Sequence, residues 1–158
     1  MKLVCWLILL APQEGGWSKL PLERETVEVY RDDYGVPHIF AKSVSAAFWA
    51  EGYTEAQDRW SQMDLNRHVS RGESAALRGK EAVASDRDVR LHGYTEAERR
   101  KMFEALSPRM REIVKDYGSG VNAFLREKKI ETRPWSETDS LAIGISMARR
   151  FGEAGDYE

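Results

Sequence analysis

The chain has 158 residues, 42% hydrophobic and 32% charged, a composition typical of one soluble globular domain with a buried core. Its 24 basic and 26 acidic residues are interspersed and sum to a net charge of −2, which argues against nucleic acid as a partner. A single cysteine, Cys5, and three scattered histidines exclude an internal disulfide framework and a cysteine–histidine zinc site.

The N-terminus carries Met1 and Lys2 followed by nine apolar residues, 3–11. This run is too short to span a bilayer, so no stable membrane insertion is expected, but it has the length of a signal-peptide core. Export is one interpretation; a misplaced start or a first strand buried against another subunit are the alternatives. Residues 12–22 contain two prolines and a Gly-Gly pair and predict a linker. We therefore expect a signal peptide and linker over residues 1–22 and a folded region over 23–158.

A β-hairpin is predicted at the start of the folded region. Residues 26–31 alternate between apolar and polar, Asp33-Tyr34-Gly35 supplies turn chemistry, and residues 36–41 form a second short apolar run. Pro37 cannot donate a hydrogen bond to a neighbouring strand, which places it at a strand start or on an edge.

Helical periodicity begins at Ser45. Apolar residues then recur every three or four positions as far as Met63, which predicts one long helix or two abutting helices ending at Arg71-Gly72. A short helical piece through residues 75–77 stops at Gly79, and a compact charged segment follows over residues 85–94.

Two further helices have clear N-terminal signals. Ser107 and Pro108 are typical of an N-cap and a first helical position, and Gly118 and Gly120 inside that helix indicate close backbone packing or a break. Ser136 and Asp139 match a capping box that opens a last helix. Because apolar residues surround the axis of this last helix, we expect it to be buried on most sides or to abut a partner.

Side-chain chemistry within the chain does not predict a catalytic centre. Asp64 and His68 lie one helical turn apart and are interpreted as a structural pair, and Asp58-Arg59 as an exposed pair or a buried structural one. The sequence has no Gly-x-Ser-x-Gly elbow and no glycine-rich phosphate loop. No catalytic residue is assigned.

Two dense motifs close together carry a family resemblance. The first is Asp33-Tyr34-Gly35-Val36-Pro37-His38 and the second is Ala56-Gln57-Asp58-Arg59, with similarity continuing through Gly118-Ser119-Gly120 and Pro134-Trp135-Ser136. Together they resemble the small, or alpha, subunit of the penicillin acylase family of N-terminal-nucleophile hydrolases. The resemblance implies an α+β chain, a β-hairpin followed mostly by helices, within an αββα sandwich.

The resemblance also implies a function. Family members are made as one precursor and cut into two subunits, and the nucleophilic serine opens the large, or beta, subunit. This chain would then be a small subunit, or a fragment of one, that shapes the acyl pocket of an amidohydrolase acting on penicillin G or a similar N-acyl compound. In the resembling segment, Met147 and Phe151 would form an apolar wall for the acyl group, and Arg150 would lie at the pocket entrance.

Calcium is implied in the same way. Relatives use a glutamate shortly after the pocket phenylalanine for a structural calcium site shared with the large subunit, and calcium favours several oxygen ligands. Glu158 is the candidate ligand, with Asp156 or Glu153 as alternatives. Because many relatives are exported, the resemblance favours a periplasmic or secreted location.

Four other functions were weighed from the sequence. An acyl-homoserine-lactone acylase or a glutaryl-cephalosporin acylase would share the scaffold and differ in the acyl pocket. A non-enzymatic helical interaction domain would keep its apolar helices in a closed core. A secreted calcium-binding module would need more clustered carboxylates than this chain has.

Overall fold

A computed structural model describes residues 15–22 and 25–154 of the chain, except for the side chains of residues 153 and 154. The chain divides into two compact units between Ala47 and Phe48. The first contains a three-stranded antiparallel sheet and the second is helical. These elements confirm the predicted α+β class, with a strand hairpin followed mostly by helices.

The sheet consists of β1 (Gly16–Pro21), β2 (Thr26–Arg31) and β3 (Pro37–Phe40), with β2 in the centre. The predicted hairpin is β2 and β3, whose register pairs Val29 with Ile39. Strand β1 corrects the prediction of a linker, because it pairs with β2 along its whole length. Strand β1 could not be predicted from an apolar pattern, because most of its residues are exposed. It is defined instead by its pairing with β2.

Asp32 organises the turn between β2 and β3. Its Oδ1 accepts hydrogen bonds from the Tyr34 and Val36 amides, both at 2.9 Å, and its Oδ2 lies 3.1 Å from His38 Nε2. The hydrogen bond with His38, followed by those from the turn amides, lowers the pKa of Asp32. The predicted turn is thus fixed by one carboxylate.

Helix α1 (Val44–Arg71) contains the predicted long apolar repeat and is interrupted at Arg59, whose φ and ψ are −144° and 31°. It is therefore two abutting helices, one of the two predicted arrangements. Gly72 ends it with φ of +66°, where the amide of Glu73 donates to the carbonyl of His68 at 2.8 Å. A Cβ at Gly72 would lie 2.7 Å from the carbonyl oxygen of Asp86, so glycine is required for space as well.

Three short elements follow α1. The predicted helical piece is α2 (Ala75–Arg78), and a 3-10 turn at Lys80–Ala82 leads into α3 (Val83–His92). The charged segment of the sequence is thus mainly helical. Helix α4 (Glu96–Ala105) was not predicted, although Thr95 and Glu98 form a complete capping box at its start.

Helix α5 (Pro108–Glu127) begins as predicted, because Ser107 Oγ accepts a hydrogen bond from the Met110 amide at 3.3 Å. It crosses α1 at very short range. A Cβ on Gly120 would lie 1.9 Å from the Trp49 carbonyl oxygen, and one on Gly52 would lie 2.1 Å from the Tyr117 carbonyl oxygen. Close backbone packing, rather than a break, therefore explains the glycine at position 120.

Helix α6 (Glu137–Ala154) ends the described part of the chain. It packs against α4 and α5. Among the described residues, none of the helices combines the length and the apolar character needed to cross a membrane.

Candidate functional site

The start of α6 is fixed by Asp139, whose side chain is completely buried. Its Oδ2 accepts hydrogen bonds from the amide of Ser136 at 2.9 Å and from its Oγ at 2.8 Å. Its Oδ1 lies 3.2 Å from one guanidinium nitrogen of Arg71 and 3.2 Å from one of Arg133. One carboxylate thus caps the helix and neutralises two arginines, as buried charges require.

Arg71 extends this ion-pair network to α4. Its Nη2 lies 2.9 Å from Glu96 Oε2, and Glu96 Oε1 accepts a hydrogen bond from Thr138 Oγ1 at 2.8 Å. Burial alone would raise the pKa of Glu96, but the Thr138 hydroxyl and the Arg71 charge outweigh it and lower that pKa. The end of α1 and the starts of α4 and α6 therefore share one set of charges.

Arg67 holds the loop that precedes α6. It is 1% exposed, pairs with Asp64, and donates to the Arg133 carbonyl oxygen at 2.8 Å. Its guanidinium lies 5.3 Å from the Trp60 ring centre and 5.8 Å from that of Trp135, distances at which cation–π attraction operates. This loop is therefore rigidly connected to α1.

The other end of α6 carries the predicted acyl-pocket residues. Met147 is 54% exposed, Phe151 is 77% exposed, and Arg150 is exposed as well. Met147 and Phe151 are four residues apart in one helix, so they lie on one face. We call residues 136–142 the anchored end of α6 and residues 147–152 its exposed end.

A cavity of about 310 Å³ lies between α1, α5 and α6. Its size is at the lower end of the range for small-molecule sites. Most of its wall is apolar, and the side chains responsible are Phe48, Met63, Ile113, Val114, Trp135 and Ile143.

Two glutamates on α1, Glu51 and Glu55, border this cavity one helical turn apart. Tyr117 Oη donates a hydrogen bond to Glu55 Oε2 at 2.6 Å, and burial followed by this bond raises the pKa of Tyr117. Desolvation, followed by the charge of Glu55, raises the pKa of Glu51. The Glu51 side chain is nevertheless exposed, so its carboxylate is accessible to water.

The other candidate residues from sequence have structural positions. His68 Nδ1 donates to the Asp64 carbonyl oxygen at 2.7 Å, which confirms the structural interpretation of that pair. Asp58 and Arg59 are exposed, and Arg59 marks the interruption of α1. Both side chains are thus exposed rather than buried.

The calcium prediction cannot be placed on the described residues. Glu158 and Asp156 lie outside them, and the side chain of Glu153 is not described. Among the residues that are described, no group of three or more His, Cys, Asp or Glu side chains could hold a metal ion. Glu158 therefore stays a prediction.

Comparison with known proteins identifies the family. The model of the penicillin amidase family matches residues 26–158. Penicillin G acylase of Escherichia coli is 36% identical over 159 aligned residues, which cover 87% of this chain and 18% of the relative. An acyl-homoserine lactone acylase, QuiP of Pseudomonas putida, is 33% identical over 72% of this chain and 14% of its own length.

A solved structure shares the fold. A thermostable penicillin G acylase from Alcaligenes faecalis superposes with a TM-score of 0.72 at 36% identity, covering 80% of this chain and 74% of the solved chain. The chain spans only about a fifth of the length of the E. coli acylase. The match over residues 26–158 and the shared fold lead to one conclusion: the chain belongs to the penicillin amidase family of N-terminal-nucleophile hydrolases.

Proposed function

We propose that this chain is the small subunit, or part of it, of a penicillin-acylase-like amidohydrolase that cleaves a linear amide. The shares of two relatives that this chain covers support this assignment. The chain covers 74% of the solved A. faecalis acylase chain but only 18% of the E. coli acylase, so the solved chain has nearly the size of this one. The nucleophilic serine and its base would belong to a large subunit made from the same precursor.

The exposed end of α6 is the observation on which the proposed substrate role depends. Met147 and Phe151 present thioether and aromatic surfaces on one face of a helix whose other end is fixed by Asp139. Such surfaces suit a flat apolar acyl group, as in penicillin G or a similar N-acyl compound. Arg150 beside them would meet the polar part of the substrate at the pocket entrance.

An acyl-homoserine-lactone acylase is the second candidate. The QuiP relative of P. putida, 33% identical over 72% of this chain, supports it. The two candidates differ in the acyl group that the exposed end of α6 would contact, which is aromatic in one and a flexible alkyl chain in the other.

Two further features belong to the proposal. Residues 3–11 support export to the periplasm or the medium, where penicillin-like substrates would be met. Glu158 would contribute one oxygen ligand to a structural calcium ion completed by the large subunit.

The test uses the two-chain protein produced from the complete precursor. We expect hydrolysis of a phenylacetyl amide, and Phe151→Ala should lower kcat/KM by roughly tenfold to two-hundredfold, the usual value of an apolar pocket contact. Leu91→Ala is the matched control, because Leu91 on α3 is 66% exposed. It should leave kcat/KM unchanged.

Parallel assays with glutaryl and long-chain acyl-homoserine-lactone substrates distinguish the candidates. A preference for the long-chain substrate would favour the QuiP-like function. Equal kcat/KM values for Phe151→Ala and the unmodified protein on every substrate would contradict the role of α6 in the acyl pocket.

A further inference from the structure

An ion pair joins the exposed end of α6 to α3. Asp88 Oδ2 accepts a hydrogen bond from Arg149 Nη2 at 3.1 Å, and Asp88 Oδ1 lies 2.9 Å from His92 Nδ1. The hydrogen bond with Arg149, followed by that with His92, lowers the pKa of Asp88. At neutral pH, Asp88 therefore presents a negative charge to Arg149.

Arg149 lies almost opposite the two predicted acyl-pocket residues on α6. It is two positions from Met147 and two from Phe151, and two positions turn a helix by about 200°. Met147 and Phe151 are four positions apart and share a face. The ion pair therefore holds one face of the helix, while the opposite face presents the apolar side chains.

A cavity of about 500 Å³ lies beside the face that carries Arg149, between α4, α6 and the end of α3. The side chains that line it are those of His92, Tyr94, Met102, Ile145, Ala148 and Arg149. The cavity interrupts the packing of α6 against its neighbours, and a helix end with few buried apolar contacts shifts at low cost. The position of this end then depends more on the Asp88–Arg149 ion pair than on apolar packing.

We propose that Asp88 is a positioning residue for the acyl pocket, because through Arg149 it sets how far the apolar face of α6 extends toward the acyl group. The inference rests on the proposed function, in which Met147 and Phe151 contact that group. Without the ion pair, the exposed end of α6 settles toward the cavity and its apolar face moves away from the substrate. The wider pocket then favours a long flexible acyl chain over a flat aromatic one.

The selectivity of the two-chain protein tests the proposal. We compare kcat/KM for a phenylacetyl amide with kcat/KM for an octanoyl amide of the same amine. In Asp88→Asn, the phenylacetyl-to-octanoyl ratio should fall by about threefold to fivefold, the modest effect of an ion pair open to solvent. The change should lie in KM for the phenylacetyl amide, with kcat kept within about twofold, because a binding contact rather than a reacting group is altered.

Glu104→Gln is the matched control for Asp88→Asn. It removes a carboxylate from an exposed position on α4 and should leave the ratio unchanged. Equal ratios for the two variants would overturn the proposal.

A double-mutant cycle shows whether Asp88 acts through Arg149. Arg149→Met keeps an apolar stem without the charge and should lower the ratio, and Asp88→Asn should have no further effect in that background. Arg149→Lys keeps a cation within reach of Asp88 and should hold the ratio within about twofold of the unmodified value. An effect of Asp88→Asn that is as large without Arg149 as with it would overturn the proposal. An equal fall for His92→Gln, which removes the other partner of Asp88, would do the same.

Hydrogen exchange in the two-chain protein separates this inference from the proposed function. In Asp88→Asn, amides of the exposed end of α6 should exchange about threefold to fivefold faster, while those of the anchored end keep their rates. If the unmodified protein hydrolysed no amide, the proposed function would be contradicted, and the exchange rates would still decide whether Asp88 holds the exposed end. Unchanged exchange at that end would overturn the inference in an active or an inactive protein.

Discussion

The two ends of α6 differ in burial and in the kind of contact that they make. At the anchored end, Asp139 is completely buried and every contact is made within this chain, to Ser136, Arg71 and Arg133. At the exposed end, Phe151 keeps 77% of its surface accessible. The comparison separates two roles: polar contacts within the chain position the helix, and its apolar end is left for a partner or a substrate. Substitutions at the anchored end should therefore reduce stability, and those at the exposed end should reduce activity.

The largest effect is expected from Asp139→Ala. Removing the carboxylate leaves Arg71 and Arg133 without a buried partner and the Ser136 amide without an acceptor, so we expect a loss of about 3–5 kcal/mol in the free energy of unfolding. Urea denaturation of the two-chain protein, followed by tryptophan fluorescence, measures this loss.

The matched control for Asp139→Ala is Asp88→Asn on α3, which removes the ion-pair partner of Arg149 in the exposed end. Asp88 pairs with Arg149 at 3.1 Å, and both side chains have access to solvent. Its loss should leave the urea midpoint nearly unchanged. If both variants shifted the midpoint equally, the two ends of α6 would not differ as described.

A second effect is expected at the crossing of α1 and α5. Gly120→Ala would place a methyl group 1.9 Å from the Trp49 carbonyl oxygen, and neither backbone can move without disturbing the other. We expect a loss of about 3 kcal/mol, near the upper end for overpacked sites. Thermal unfolding of the two-chain protein measures it.

Ser119→Ala serves as the control at the crossing. Ser119 is exposed on the same helix, and alanine has the higher helix propensity. A melting temperature of Gly120→Ala equal to that of Ser119→Ala would show that the two helices do not approach as closely as the geometry requires.

Local chemistry explains which elements the sequence predicted. Ser107-Pro108 and Gly72 determine a helix start and a helix end through their own backbone groups, so both were predicted correctly. Strand β1 was missed because Gly16 and Pro21 at its ends are typical of loops. Helix α4 was missed because its residues are mostly polar, although the Thr95–Glu98 capping box was present in the sequence.

The candidate site also has a part that the sequence predicted and a part that it did not. Family resemblance selected Met147, Arg150 and Phe151, and the helix face shared by Met147 and Phe151 follows from spacing alone. The cavity beside Glu51 could not be predicted, because it depends on how α1, α5 and α6 meet. The sequence predicted the charged residues of α1 on the side opposite its apolar repeat, and Glu51 is indeed exposed, so neither Glu51 nor Glu55 indicated a cavity.

The smallest predicted effect is a pH dependence at Asp86. Asp86 on α3 accepts hydrogen bonds from the Ser74 amide at 2.9 Å and the Ala75 amide at 2.7 Å. Burial alone would raise its pKa, but the Ser74 hydroxyl and these two amides outweigh burial and lower the pKa below its ordinary value of 3.8. Because the folded-state pKa is depressed, this stabilisation is present above pH 3.8 and is lost as the pH falls through the lower value.

Asp86→Asn should therefore remove about 1 kcal/mol at neutral pH, the usual value of a helix cap, and make acid unfolding less steep. Urea midpoints measured from pH 7 down to pH 3 check both expectations. The exposed end provides the control, because Met147→Ala removes no titratable group and its difference from the unmodified protein should not vary with pH. A difference for Asp86→Asn that grew as the pH fell would contradict the assignment, since protonation of Asp86 should make the two proteins converge.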